Sequence, residues 1–301
     1  MAREIRRGCD ELGRYLPRVA HQRAGERLAR PKTRKIDASE ALRARLVELL
    51  SDRCSPRQAA ARLARENPDD ETMRVSHEQI YQALYVQGAG SLRAQLRVEQ
   101  ALRSGRTKRV PRSPLAGLAR PSRRSWIEGA RITDRPPAAD DRAVPGHWEG
   151  DLVIGTDGRS ALITLVERRS RFTLMRRLGD DHRATTVTDA LIEMVRALPQ
   201  ALFSTITWDQ GVEMADHARF TAASGIRVYF ADPHSPWQRP TNENTNGLTR
   251  QYFAKGTDFS TITDAQVQAA QNQLNRRPRL VLNAMTPSEK LNEIINGATT
   301  T

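Results

Sequence analysis

The chain has 301 residues, with 48 Lys and Arg against 35 Asp and Glu, a net charge of +13 and room for about two domains. Its mean hydropathy of -0.62 and the lack of any long uncharged apolar run exclude a bilayer-spanning helix, so no membrane partner is expected. The basic start MAREIRRGCDELGRYLPR has no apolar signal stretch, which makes the cytoplasm the expected location, and Cys9 and Cys54 alone make neither a disulfide framework nor a zinc site.

The charge is divided unequally. Residues 1–145 hold 31 basic and 18 acidic side chains, whereas residues 146–301 hold 17 of each. A basic half joined to a neutral one predicts that the first half grips a polyanion, with double-stranded DNA the leading partner, and that the second does something else.

In chain order, residues 1–36 form a basic N-terminal segment. Residues 37–50, DASEALRARLVELL, predict a helix with Leu42, Leu46, Leu49 and Leu50 on one face and a capping box from Asp37 to Glu40. In SPRQAAARLARE, Ser55 at the N-cap and Pro56 at the first helical position open a second helix. A third begins at the Ser76 and Gln79 capping box, with Ile80, Ala83 and Leu84 facing a core. Three short helices in this order read as an all-α helix-turn-helix DNA-binding domain over residues 37–102, and a plain helical bundle is the alternative. Its candidate DNA contacts are Arg57, Arg74, His77 and Gln79. A further helix is expected around Leu92 and Arg93, and the Pro- and Arg-rich residues 103–145 read as a basic linker.

Residues 146–301 form the neutral half. HWEGDLVIG, ALITLVER and RFTLMRRL predict three antiparallel strands, the first two joined through Thr156, Asp157 and Gly158. A helix, the strand STITWD, a helix, the strand IRVYF, the loop ADPHSPWQRP and the helix TNENTNGLTRQYF follow, giving the order βββαβαβα of an α/β, ribonuclease H-like, retroviral integrase-like catalytic domain. Asp151 falls on the first strand, Asp209 just past the fourth and Glu243 at the start of the last helix, 58 and 34 positions apart. Three converging carboxylates repel unless cations lie between them, and hard oxygen donors suit two Mg²⁺ or Mn²⁺ ions for displacement at phosphorus.

HWEGDLVIG, ITWDQGVEMADH, YFADPHSPWQRPTNENTNGLTRQYFAKGTDFS and LNRRPRLVLNAMTPSE resemble the blocks of bacterial DDE transposases of insertion-sequence family thirty, with 33 residues between Asp209 and Glu243. RPKTRKI, CSPRQAAARL and VSHEQIYQALY resemble that family's second helix-turn-helix. The resemblance implies a catalytic and metal-binding triad of Asp151, Asp209 and Glu243, Mg²⁺ as metal, and terminal inverted repeats plus target DNA as substrate. Cutting two ends together implies a homo-oligomer, a dimer or larger, acting in the bacterial cytoplasm at the nucleoid. Two departures stand out. Residues 3–7, REIRR, resemble the end of an earlier recognition helix, so most of a first helix-turn-helix is expected to be missing and this turn to be detached. Pro240 stands where the family usually has Gly. The alternative function is a DNA-binding regulator or an inactive relic of a transposase.

Other residues carry two readings each. Glu149 shares the strand face of Asp151 and is an extra ligand or, more plainly, a peripheral acid. Glu213 stands one turn beyond Asp209, either supporting the site or exposed. Asn246 and Arg250 share the helix face of Glu243, and Arg250 is the candidate contact to a DNA phosphate in this half. His147, His217 and His234 show no metal-ligand spacing, and Trp148 and Trp237 read as core. No phosphate-binding Gly-rich loop or Ser nucleophile elbow is present.

Overall fold

The computed structural model describes residues 9–10, 12–28, 34–86, 125–233 and 235–298. The N-terminal turn at residues 3–7, the helix expected around Leu92 and Arg93, the linker as far as residue 124, and His234 lie outside the described residues.

The helical unit is built on local caps. Helix α1 (Pro17–Leu28) comes first, within the segment read as basic and as the remnant of a truncated helix-turn-helix. A single turn, α2 (Lys35–Ala38), then meets α3 (Glu40–Ser51). The N-cap of α3 is Ser39, whose hydroxyl accepts from the Leu42 amide at 3.3 Å, and not Asp37 as the sequence suggested. Asp37 lies inside α2, because burying Ile36 against the helical core wraps the preceding residues into a turn of their own. Ser55 caps α4 (Pro56–Glu66) and Ser76 caps α5 (His77–Tyr81), each completed by a Gln three positions on. The chain continues from α5 as a wider π turn through residues 82–86. Leu42, Leu46, Leu50, Leu63, Ile80 and Leu84 close this unit's own core.

The catalytic unit is a five-stranded sheet in the order β3-β2-β1-β4-β5. Strands β1 (His147–Ile154), β2 (Ala161–Glu167) and β3 (Thr173–Leu178) pair antiparallel. Strands β4 (Thr205–Trp208) and β5 (Arg227–Phe230) extend the sheet in parallel, reached through α6 (Ala184–Arg196) and α7 (His217–Ser224). This is the ribonuclease H-like order expected from the sequence. Alternation along the strands separates two cores. Trp148, Ile163, Leu165, Ile206 and Trp208 pack on the face covered by α6 and α7. Val153, Leu162 and Met175 pack on the opposite face, with Leu248 of α8 (Pro240–Thr249) and Val267, Ala270 and Leu274 of α9 (Asp264–Arg276). The last helix, α10 (Pro287–Ala298), sends Leu291 and Ile294 into the first core.

Residues 125–145 correct the linker reading. Ile127, Ala130 and Ala139 are buried, and the Phe230 amide donates to the Ala130 carbonyl at 2.7 Å. Short 3₁₀ turns wrap this stretch onto the edge strand β5, so its Pro and Arg content reflects turn geometry rather than a solvated tether.

The two units touch. Arg62 of α4 forms a two-pronged pair with Glu289 of α10 at 2.7 and 2.6 Å, Gln58 donates to the Pro278 carbonyl at 2.7 Å, and the Arg53 guanidinium lies 4.6 Å above the Tyr252 ring. Among the described residues no helix is long and apolar enough to cross a membrane.

Candidate active site

The β1/β4 register sets the site. His147 lies opposite Thr205 and Glu149 opposite Thr207, an offset of 58 positions. The same offset separates Asp151 from Asp209, so the two carboxylates emerge level with each other from adjacent parallel strands. Gly150 permits this, because a Cβ there would lie 2.1 Å from the Trp208 ring, which occupies that space instead.

One guanidinium lies between the two acids. Arg239 Nη1 is 3.5 Å from Asp151 Oδ1 and donates to the Gly150 carbonyl at 2.9 Å, while Nη2 is 3.5 Å from Asp209 Oδ2. Asn246 Nδ2 donates to Asp151 Oδ2 at 2.5 Å, and Thr164, paired with Asp151 on β2, meets Asn242 and Asn246. Burial pushes the Asp151 carboxyl above the ordinary aspartate range; Arg239 opposes that shift and Asp209 adds to it. Glu213 turns inward as well, accepting from Trp208 Nε1 at 3.2 Å, with its carboxyl raised first by burial and then by the charge of Asp209.

Glu149 is not a peripheral acid. It is fully buried on the face of Asp151, and its Oε2 accepts from the Thr241 and Asn242 amides at 2.8 Å each. Its Oε1 lies 3.1 Å from Arg168 Nε, itself buried. Glu149 therefore caps α8 from the neighbouring strand, a carboxylate at the positive end of the helix that carries Glu243. Pro240 occupies the first position of that helix, where a fixed φ and a missing N–H are favourable.

Glu243 is exposed on the first turn of α8, apart from the Asp151 and Asp209 pair. Among the described residues no three His, Cys, Asp or Glu side chains are grouped closely enough to hold a metal ion. Arg250, at the end of α8, donates to the Ala254 carbonyl at 3.3 Å. In the helical unit Arg57, Arg74, His77 and Gln79 are all exposed around the starts of α4 and α5, although Gln79 also uses its carbonyl to cap Ser76 and Arg74 bonds the Pro68 carbonyl. Trp148 is core, donating to the Leu202 carbonyl, whereas Trp237 is 71% exposed, against the core reading. Sequence reasoning passed over Arg239, whose only signal is its place one helical turn before Glu243.

The sheet order and the level acids at its β1/β4 edge define an integrase-type catalytic core, and residues 141–236 match the family model "Integrase core domain". The chain is 42% identical to the transposase for insertion sequence element IS1086 of Cupriavidus metallidurans, over 99% of this chain and 86% of that protein. It is 40% identical to transposase InsI for insertion sequence element IS30C of Escherichia coli, over 96% and 74%. The transposase for insertion sequence element IS4351 of Bacteroides fragilis is 36% identical, over 98% and 86%. The chain belongs to the IS30 family of insertion-sequence transposases, enzymes that move a DNA element by cutting and joining strands.

Proposed function

We propose that Asp151, Asp209 and Glu243 are the catalytic acids and together hold two divalent ions, Mg²⁺ or Mn²⁺, acting on the terminal inverted repeats of an element and on target DNA. The observation that carries this reading is the shared cation between Asp151 and Asp209: the two carboxylates already converge on one positive group, and hard oxygen donors fit a divalent metal. Glu243, exposed and one turn beyond Arg239, would complete the set by turning toward the pair. When bound, such ions activate the attacking oxygen and stabilise the leaving one during in-line displacement at phosphorus.

The chain's own groups have separate tasks. Glu149 holds α8 in register with β1, Asn246 orients the Asp151 carboxylate, and Gly150 keeps the two strands close enough for the acids to share one cation. The helical unit, residues 37–102 in the sequence reading, would grip duplex DNA through Arg57, Arg74, His77 and Gln79, with Arg250 approaching a phosphate near the acids. We assign residues 125–145 to the catalytic unit, because they pack on β5. The assembly would be a homo-oligomer, a dimer or larger, working in the bacterial cytoplasm at the nucleoid.

The test is strand cleavage of a duplex bearing the element's ends, in Mg²⁺ or Mn²⁺, by Asp151→Asn, Asp209→Asn and Glu243→Gln. Each variant should lose at least about a thousandfold in rate, since metal-supplied charge stabilisation amounts to several kcal/mol, while keeping DNA affinity. A wild-type rate in any of the three removes that residue from the site.

A further inference from the structure

Arg239 is held in place from several directions. Its guanidinium is tethered to the Gly150 carbonyl between the two strand ends, its side chain is only 12% exposed, and the next residue is the proline that opens α8. It faces two carboxylates at 3.5 Å each, with Glu213 close enough for its charge to bear on the same pair. Two level aspartates on neighbouring strands repel at neutral pH, and a single positive charge between them compensates half of their charge. A divalent ion would compensate all of it, and it would need the same carboxylate oxygens that now face the guanidinium.

We propose that Arg239 is the resident counter-ion of the metal-free site, and that a divalent metal loads by displacing its guanidinium from Asp151 and Asp209. This rests on the reading that the pair is the metal site. Arg239 is then a positioning residue: it keeps the carboxylates converged before metal arrives, and it raises the metal concentration needed to fill the site. The same side chain stabilises the empty enzyme and competes with the ion.

Mn²⁺ binding to the full chain, followed by the electron paramagnetic resonance of free Mn²⁺, tests this together with thermal unfolding in EDTA or in Mn²⁺. Arg239→Gln should bind Mn²⁺ about tenfold more tightly, roughly 1.4 kcal/mol. It should unfold at a lower temperature than wild type in EDTA and recover most of that difference in Mn²⁺, because ligand binding stabilises the folded state by mass action. Arg239→Lys, which keeps a cation without the planar fork, should fall between the two and guards against a fold defect in the glutamine variant. Equal or weaker Mn²⁺ affinity in Arg239→Gln, with the fold intact, overturns the counter-ion role. Asp151→Asn and Asp209→Asn must each weaken Mn²⁺ binding. Should neither do so, the failure lies in the metal-site reading, and the proposal falls with its premise.

Discussion

The helical unit and the catalytic unit handle polar groups in opposite ways. In the helical unit the helix starts are set by polar side chains acting within three residues of themselves: Ser39, Ser55 and Ser76 each cap the helix that follows, and the longer links, Arg45 to Glu66 and Lys35 to the Arg74 carbonyl, lie at its surface. Its core is aliphatic and its charges lie outside. In the catalytic unit, charged and polar groups inside the fold join segments far apart in the chain. Buried Glu149 reaches residues 241 and 242, buried Arg277 reaches Gln251 and Tyr252, and buried Asn275 exchanges two hydrogen bonds with Thr173 at 2.8 Å each. Local caps are replaceable one at a time, whereas buried charged links are strongly destabilising to break because the partner is left uncompensated.

The sharpest way to break this comparison is Glu149→Ala. Removing that carboxylate strands the buried Arg168 and leaves two amides of α8 without their acceptor. The expected loss is about 3–5 kcal/mol in urea unfolding of the catalytic unit, with activity falling further than stability because Glu243 rides on α8. A loss below about 1 kcal/mol would show that Glu149 is not holding the helix. The contrasting variant is Ser55→Ala, where one hydroxyl cap is lost at the start of α4. There the expected cost is about 1 kcal/mol, visible as faster amide hydrogen exchange confined to the helical unit. Exchange that spread into the sheet would erase the distinction between the two units.

That distinction also explains what the sequence made legible. The capping boxes at Ser55 and Ser76 are written in adjacent residues, and so are the alternating strands, so the elements and the ribonuclease H-like order could be read directly. The shared offset of 58 was already present in the spacing of Asp151 and Asp209, but its meaning depended on which strands pair in parallel. Glu149 and Arg239 were misread or passed over because the backbone groups they bond, the first amides of α8 and the Gly150 carbonyl, lie about ninety residues away, and a lone acid or base gives no local sign of burial. Trp237 fails in the other direction: an aromatic residue flanked by Pro236 and Gln238 has no period to show whether it faces in or out. At Ser39 the error was one of register, since two acids three apart imitate a capping box when the neighbouring serine makes the bond.

The smallest expected effect lies where the two units meet. Arg62 holds Glu289 across the contact at 2.6 and 2.7 Å and Glu66 within its own helix at 2.7 Å, so it stays engaged when the contact opens. The hydrogen bonds from Arg62 lower the Glu289 carboxyl from 4.5 to about 2, against burial, with the Thr286 amide helping. A depressed carboxylate contributes stability that is fully present above its unfolded value and lost as pH falls through its folded value. This contact should therefore be intact above about pH 4.5 and weaken steadily toward pH 2. Glu289 is 41% exposed, so solvent screening holds the contribution to about 1 kcal/mol or less, far below that of Glu149. Amide exchange of α4 and α10, compared between wild type and Glu289→Gln at neutral pH and at pH 3.5, reads it out. The variant should exchange faster than wild type at neutral pH, and the gap should narrow on acidification as the Glu289 carboxylate, once released from Arg62, takes up a proton in the opened state. A gap that widens on acidification would mean that the carboxylate is not what joins these helices, leaving the Arg53 and Tyr252 stack and the Gln58 bond to Pro278 as the contacts that do.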